Sequence, residues 1–313
     1  MFELLAPVYL GWSLGANDAS NVFGTAVASR MVRFGTAALL AATFVVLGAL
    51  LGGQQGMETL GGLSAFDLEH AVISSVAAAI TVTLMTLLRL PVSTSQAVVG
   101  AILGVGLLSG GGVDLGVLGK VIVCWLGTPV GALLAAVVLY RLLRPGFNLL
   151  ANRLVTFDGT LRLCLVAAGC YGAYALGANN AANVTGVFVG AGTMTPLTGA
   201  LVAGGSIALG IATFSRRVMM TVGRGIIRLN AYSALVVVLA EALTVHFYAV
   251  VGVPVSTSQA VVGAVLGVGL LKSVETVRLR AVVGILSGWF ATPLVAGGCS
   301  ALLYFAAHLR FVG

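Results

Sequence analysis

Charge is what this sequence has least of. Only 8% of its 313 residues are Asp, Glu, Lys or Arg, against about 25% in a soluble domain, so the chain cannot cover a water-facing surface. Strand-length stretches of alternating polarity are missing too, which argues against a membrane β-barrel. Cysteine is sparse. Cys124, Cys164, Cys170 and Cys299 all fall in apolar runs without CxxC spacing, and are expected as small buried side chains, not disulfides or metal ligands. No HExxH and no nucleophile–histidine pair at recognisable spacing occurs, so no enzyme is expected. The net charge of +7 sits in short loops, where it reports membrane orientation and not a nucleic-acid footprint. The opening MFELLAPVYLGW lacks a basic leader, and no cleavable signal peptide is expected.

Apolar sequence fills the space that charge leaves. The chain is 59% hydrophobic with a mean hydropathy of +1.10, so the lipid bilayer is its solvent. An all-α, multi-pass protein of the cell (plasma) membrane is expected. Ten apolar segments of about spanning length run over 2–28, 35–54, 70–88, 91–108, 115–141, 162–190, 196–214, 231–250, 254–271 and 281–307. The segments of the two halves match in order. LGANDASNVFGTAV at 14–27 returns as LGANNAANVTGVFV at 176–189, an offset of 162. PVSTSQAVVGAILGVGLL at 91–108 returns with one difference at 254–271, and WLGTP at 125–129 as WFATP at 289–293. A steady offset marks a duplication: a first repeat at 1–145, a cytoplasmic connecting loop at 146–161 and a second repeat at 162–313.

Five segments per half force the repeats into opposite orientations, and the basic residues agree. Arg30, Arg33, Arg89, Arg141, Arg144, Arg153, Arg162, Arg216, Arg217, Arg224, Arg228, Lys272, Arg278 and Arg280 fall in loops of one side, with Glu58, Asp67 and Glu69 on the other. The positive side is cytoplasmic, which puts both termini outside; Arg310 alone is discordant. Re-entrant hairpins at the two PVSTSQ segments would place Arg89 near the bilayer centre, which is costly, so full spans are expected. Two inverted-topology repeats with broken helices meeting at the midplane describe many secondary transporters.

Two motif pairs carry chemistry. Pro91 and Pro254 suit a helix start, and the hydroxyls that follow suit a cap. A helix start has free N–H groups and a partial positive charge, hence an affinity for anions. Ser93, Thr94, Ser95 and Gln96, with Ser256, Thr257, Ser258 and Gln259, would clamp a tetrahedral oxyanion from two sides. The alternative is capping and helix-to-helix hydrogen bonding only. In the other pair, Asn17, Asp18, Asn21, Asn179, Asn180 and Asn183 interrupt apolar helices. An intramembrane carboxylate with amide and carbonyl oxygens suits Na⁺ or a proton, with Asp18, Asn21 and Asn183 as the expected Na⁺ ligands. Neither motif holds a Lys or Arg, so co-bound cations must offset the anion's charge. Glu241 is a further cation-binding candidate and His246 a weaker one. Thr128–Pro129 and Thr292–Pro293 are expected to kink helices, and Gly100, Gly104, Gly106, Gly263, Gly267 and Gly269 to let helices approach closely.

These motifs, GAND-x-x-N-x-x-G and PVST followed by two polar residues, resemble those of the inorganic phosphate transporter (PiT) family, over nearly the whole chain. The resemblance implies symport of phosphate with Na⁺ or H⁺, no cofactor beyond the coupling ion, and the anion and cation residues named above. This chain reads Asn180 where many members have a second Asp, and Ser–Gln where many have Thr–His, which favours Na⁺ over H⁺ and leaves sulfate as the alternative substrate. Phosphate still carries a proton near neutrality and wants an acceptor; Asp18 supplies one and tilts the reading to phosphate. A passive channel would show a continuous polar lining or a charged ring. A homodimer is left open.

Overall fold

A computed structural model describes residues 4–88, 92–150, 154–216, 218–220, 230–272 and 279–309. Among them lie eleven long helices and no strand: α1 Leu5–Ala28, α2 Phe34–Gly52, α3 Gln54–Gly61, α4 Leu68–Leu87, α5 Thr94–Leu108, α6 Leu115–Leu150, α7 Leu154–Gly190, α8 Pro196–Thr213, α9 Ala231–Val251, α10 Thr257–Lys272 and α11 Leu279–Leu309. Helices satisfy their own backbone groups, as lipid demands. Their starts are set by side chains that accept a backbone N–H: Asp67 for α4, Ser93 for α5, Thr195 for α8 and Asn230 for α9. Leucines such as Leu39, Leu126, Leu201 and Leu294 face outward as an apolar surface.

Each expected apolar segment contains a helix. Among the described residues seven helices are long and apolar enough to cross a membrane: α2, α4, α6, most of α7, α8, α9 and the later part of α11. The two PVSTSQ segments give short helices of 15 and 16 residues. Pro254 does not open its helix but lies in the non-helical stretch before Thr257. Residues 146–150 and 154–161, expected as loop, are the helical ends of α6 and α7; there Phe147 packs edge-on against Phe157 and tilts onto Tyr232. The four cysteines are free thiols and half-buried, because each sits on a helix flank and not in the core. Arg89, Pro91, Arg153, Arg217, Arg224, Arg228, Arg278, Arg310 and the side chain of Arg280 lie outside the described residues.

The two halves interlock through glycines. α1 runs beside α8 in the same direction: Gly11 meets Ser206, Gly15 meets Ile207 and Gly24 meets Met219. α2 and α3 run likewise beside α7, Gly48 at Tyr174, Gly53 at Ala181 and Gly61 at Gly190. The contacts are reciprocal. A Cβ on Gly15 would stand 2.0 Å from the Ile207 oxygen, and one on Gly177 2.0 Å from the Val45 oxygen; both partners of the second contact sit 162 positions from those of the first. α2 and α8 run antiparallel, since Arg216 lies over the Phe34 ring while Gly204 packs on Val46. It follows that α1 and its counterpart α7 point in opposite directions. α5 lies along α11, Gly100 at Pro293 and Gly104 at Gly297, and α10 along α6, Gly263 at Pro129 and Gly267 at Leu133.

Candidate functional site

The site grows from the starts of α5 and α10. Gly252, in the left-handed region at φ 78°, closes α9. The chain then runs without regular secondary structure through Val253–Ser256. Asn179 of α7 grips this stretch from both sides: its Oδ1 accepts from the Val255 N–H at 2.8 Å and its Nδ2 donates to the Val255 carbonyl at 2.9 Å. Ser256 then caps α10 by accepting from the Gln259 N–H, as Ser93 caps α5 by accepting from Gln96. Trp125 of α6 donates to the Pro254 carbonyl.

The two tips touch. The Ser95 hydroxyl donates to the Val255 carbonyl at 2.9 Å, and its counterpart Ser258 donates to the Val92 carbonyl at 3.3 Å. Both serines, expected as anion ligands, use their protons to tie one tip to the other. The first N–H groups of each helix have no intrahelical acceptor, so two positive helix ends converge here.

The asparagine motifs flank the tips. From α1, Thr257 donates to Asp18 Oδ2 at 3.2 Å, Asn21 donates to Thr257 at 3.1 Å, and Asn17 donates to Asp18 Oδ1 at 2.8 Å. From α7, Asn183 donates to Ser95 at 2.9 Å and to Asn180 Oδ1 at 2.7 Å. The expected Na⁺ trio is therefore divided. Asp18 and Asn21 sit at the α10 tip and Asn183 at the α5 tip, because Asn21 and Asn183 are counterparts and fall on opposite tips. Several buried atoms have no hydrogen-bond partner among the described residues: Thr94 Oγ1, Gln96 Oε1, Asn180 Nδ2, Asn183 Oδ1 and Gln259 Oε1. Glu241 of α9 is buried as well, with Oε2 unpartnered, and interacts electrostatically with Asp18. Among the described residues no three His, Cys, Asp or Glu gather as a metal cluster.

His246 stands apart from this cluster. Its Nδ1 pairs with the Tyr171 hydroxyl at 2.7 Å and its ring lies between Tyr171 and Tyr174. It lines a cavity of about 480 Å³ with Gln54, Gln55, Glu58, Tyr174 and Ala178, next along α7 to Asn179. Sequence reasoning passed over Gln55, Tyr171 and Trp125. A signal for Trp125 was present, since its tryptophan recurs at 289 in the second repeat.

The chain resembles several known proteins. The sequence model of the phosphate transporter family matches residues 14–157 and 148–300. A protein of Methanocaldococcus jannaschii assigned as a phosphate permease is 30% identical over 94% of this chain and 93% of its own. The sulfate permease CysP of Bacillus subtilis is 28% identical over 96% of this chain and 86% of its own. A solved structure described as the sodium-dependent phosphate transporter superposes with a TM-score of 0.86 at 24% identity, covering 99% of this chain and all of the other.

Proposed function

The chain belongs to the phosphate transporter family, a transporter family and not an enzyme one, and from this premise we propose that it is a secondary active symporter that imports inorganic phosphate with Na⁺ across the cell membrane. The observation that carries the reading is the pair of converging helix starts with buried, unpartnered polar atoms between them. Helix starts attract oxyanions. With no Lys or Arg in the motifs, a cation at the Asp18 carboxylate makes the anion's desolvation tolerable, and each ligand then raises the affinity for the other. Ser93, Thr94, Gln96, Ser256 and Gln259 form the anion clamp, and Thr257, bonded to Asp18, stands between the clamp and the cation site. Asp18, Asn17, Asn21, Asn179, Asn180, Asn183 and Glu241 hold cations or complete the site. Sodium coupling also agrees with the description of the solved relative.

The topology that fits is a pair of inverted repeats, 1–145 and 162–313. Each has three crossings (α1, α2–α3 and α6; α7, α8 and α11) and one re-entrant hairpin (α4–α5; α9–α10). Opposed counterpart helices support the inversion. Helices of 15 and 16 residues rise only about 22–24 Å, short of a ~30 Å hydrocarbon core. Tips that enter from opposite faces and still touch have to meet near the midplane, so the hairpins replace the full spans expected from sequence. The basic loops share one side, cytoplasmic, with both termini outside; Arg89, which falls between α4 and α5 in the sequence, is the exception and goes to the hairpin turn, where a charge is costly.

Phosphate uptake into proteoliposomes, with and without an inward Na⁺ gradient, tests the reading. Uptake that ignores the gradient sinks Na⁺ symport. Sulfate transport is the second reading, favoured by the likeness to a sulfate permease, and sulfate that competes with phosphate at equal concentration would support it. Replacing Ser93 and Thr94, or Ser256 and Thr257, by Ala should weaken binding sharply, since hydrogen bonds to a charged group contribute about 1.5–3 kcal/mol each.

A further inference from the structure

The two halves differ at one atom that matters. At the α10 tip, the Thr257 hydroxyl donates to the Asp18 carboxylate and accepts from Asn21. The positive start of α10 thus already faces an anion. At the α5 tip the counterpart of Asp18 is the uncharged Asn180. Among the described residues the counterpart hydroxyl, Thr94 Oγ1, has no partner and neither does Asn180 Nδ2; the acceptors Gln96 Oε1 and Asn183 Oδ1 are open at this tip too. Thr94 and Asn180 are almost completely buried, 3% and 1% exposed. Open donors and open acceptors beside a positive helix start suit an oxyanion that still carries a proton, such as hydrogen phosphate: Thr94 and Asn180 donate to its oxygens, and Gln96 Oε1 or Asn183 Oδ1 accepts its proton in place of Asp18.

We propose that the oxyanion binds off-centre, at the α5 tip, in the place that the Asp18 carboxylate fills at the α10 tip. Thr94, Asn180 and the first backbone N–H groups of α5 hold the anion. Asp18, Thr257 and Asn21 hold the coupling cation at the α10 tip, where the Thr257 hydroxyl is already engaged and the carboxylate repels an oxyanion. The site has an anion half and a cation half, and substituting counterpart residues has unequal effects. The proposal rests on the reading of the chain as a cation-coupled oxyanion transporter.

The experiment uses the full-length protein in detergent and measures binding of radiolabelled inorganic phosphate across a range of Na⁺ concentrations. Thr94→Val and Thr257→Val keep shape and remove one hydroxyl each. Thr94→Val is expected to weaken phosphate binding about tenfold or more, a loss that saturating Na⁺ does not restore. Thr257→Val is expected to shift the Na⁺ half-saturation upward, a loss that added Na⁺ does restore. Asn180→Ala repeats the Thr94 test through a different side chain, should the valine variant fold poorly. Asn180→Asp puts a second carboxylate in the anion's proposed place and should weaken phosphate binding at every Na⁺ concentration. Equal losses from the two threonines, or a Thr94→Val loss cured by Na⁺, would overturn the polarised site, as would parent-like phosphate binding in Asn180→Asp. A parent protein that binds no phosphate, or binds it without regard to Na⁺, fails the underlying reading instead and is seen before any variant is made.

Discussion

Two close glycine contacts, related by the repeat, make a paired prediction. Gly15→Ala places a carbon 2.0 Å from the Ile207 oxygen, and Gly177→Ala one 2.0 Å from the Val45 oxygen. Carbon and oxygen in contact normally stand about 3.3–3.6 Å apart, so each helix pair has to part by more than about 1 Å, enough to lose a quarter to a half of the dispersion attraction along the seam. Overpacking costs about 1–3 kcal/mol. Backbone stands on both sides of these contacts and cannot rotate away, which puts the cost at the upper end. Alanine's better helix propensity returns about 1 kcal/mol, leaving a net loss of about 2 kcal/mol. At roughly 2–4 °C per kcal/mol, Tm in detergent should fall by about 4–8 °C. Gly205→Ala is the control: on α8, with open space around its Cβ position, it should melt at or slightly above the parent. Scanning fluorimetry of the three purified variants decides. If Gly15→Ala and Gly177→Ala melt like Gly205→Ala, or differ widely from each other, the reciprocal packing is wrong.

Three more outcomes are expected. In a chain without its native cysteines, a cysteine at Glu58 and one at Arg33 should react with an impermeant thiol reagent from opposite faces of the membrane; labelling from one face contradicts the topology. Asn179→Ala removes the side chain that accepts from the Val255 N–H, while Ser95 still serves the Val255 carbonyl. One orphaned buried donor costs about 1–3 kcal/mol, and both Tm and phosphate binding should drop, whereas parent-like binding would show that the α10 tip holds its shape without this grip. Tyr171→Phe removes the hydroxyl partner of His246 away from the tips, so phosphate affinity should stay at the parent value; a tenfold loss would move the substrate path into that cavity.

Some of this was legible because duplication writes twice whatever it preserves. The repeated PVSTSQ and GAN motifs named the residues that meet at the tips, and capping chemistry placed Ser93 and Ser256 correctly. Other features left no mark in residue type. Apolar length shows that a segment prefers lipid but not where it turns back, so half-length helices passed as spans. The α3 sequence QQGMETLG is polar enough to look like loop, yet it is helical against α7. Offset arithmetic paired Asn21 with Asn183, and that pairing should have separated them, since counterparts in opposed halves sit on opposite tips. Partner choice at Asp18 was beyond sequence: that Thr257, and not a residue nearer along the chain, answers it depends on how the halves cross.

That crossing has a consequence for how the protein is made. The helices that cover α1 and α2 belong to the second half, so the first half leaves the ribosome with its glycine faces bare. At about 5–20 residues per second, α8 follows α1 by roughly 10–40 s. During that interval the first half can enter the bilayer but cannot close its seams, and it depends on lipid or on the insertion machinery to occupy them. The same order of events means that a cut between α6 and α7 leaves two pieces that complete each other. Made together as separate chains, they should find each other in the membrane and rebuild the tips, as two opposed subunits would before a gene joined them.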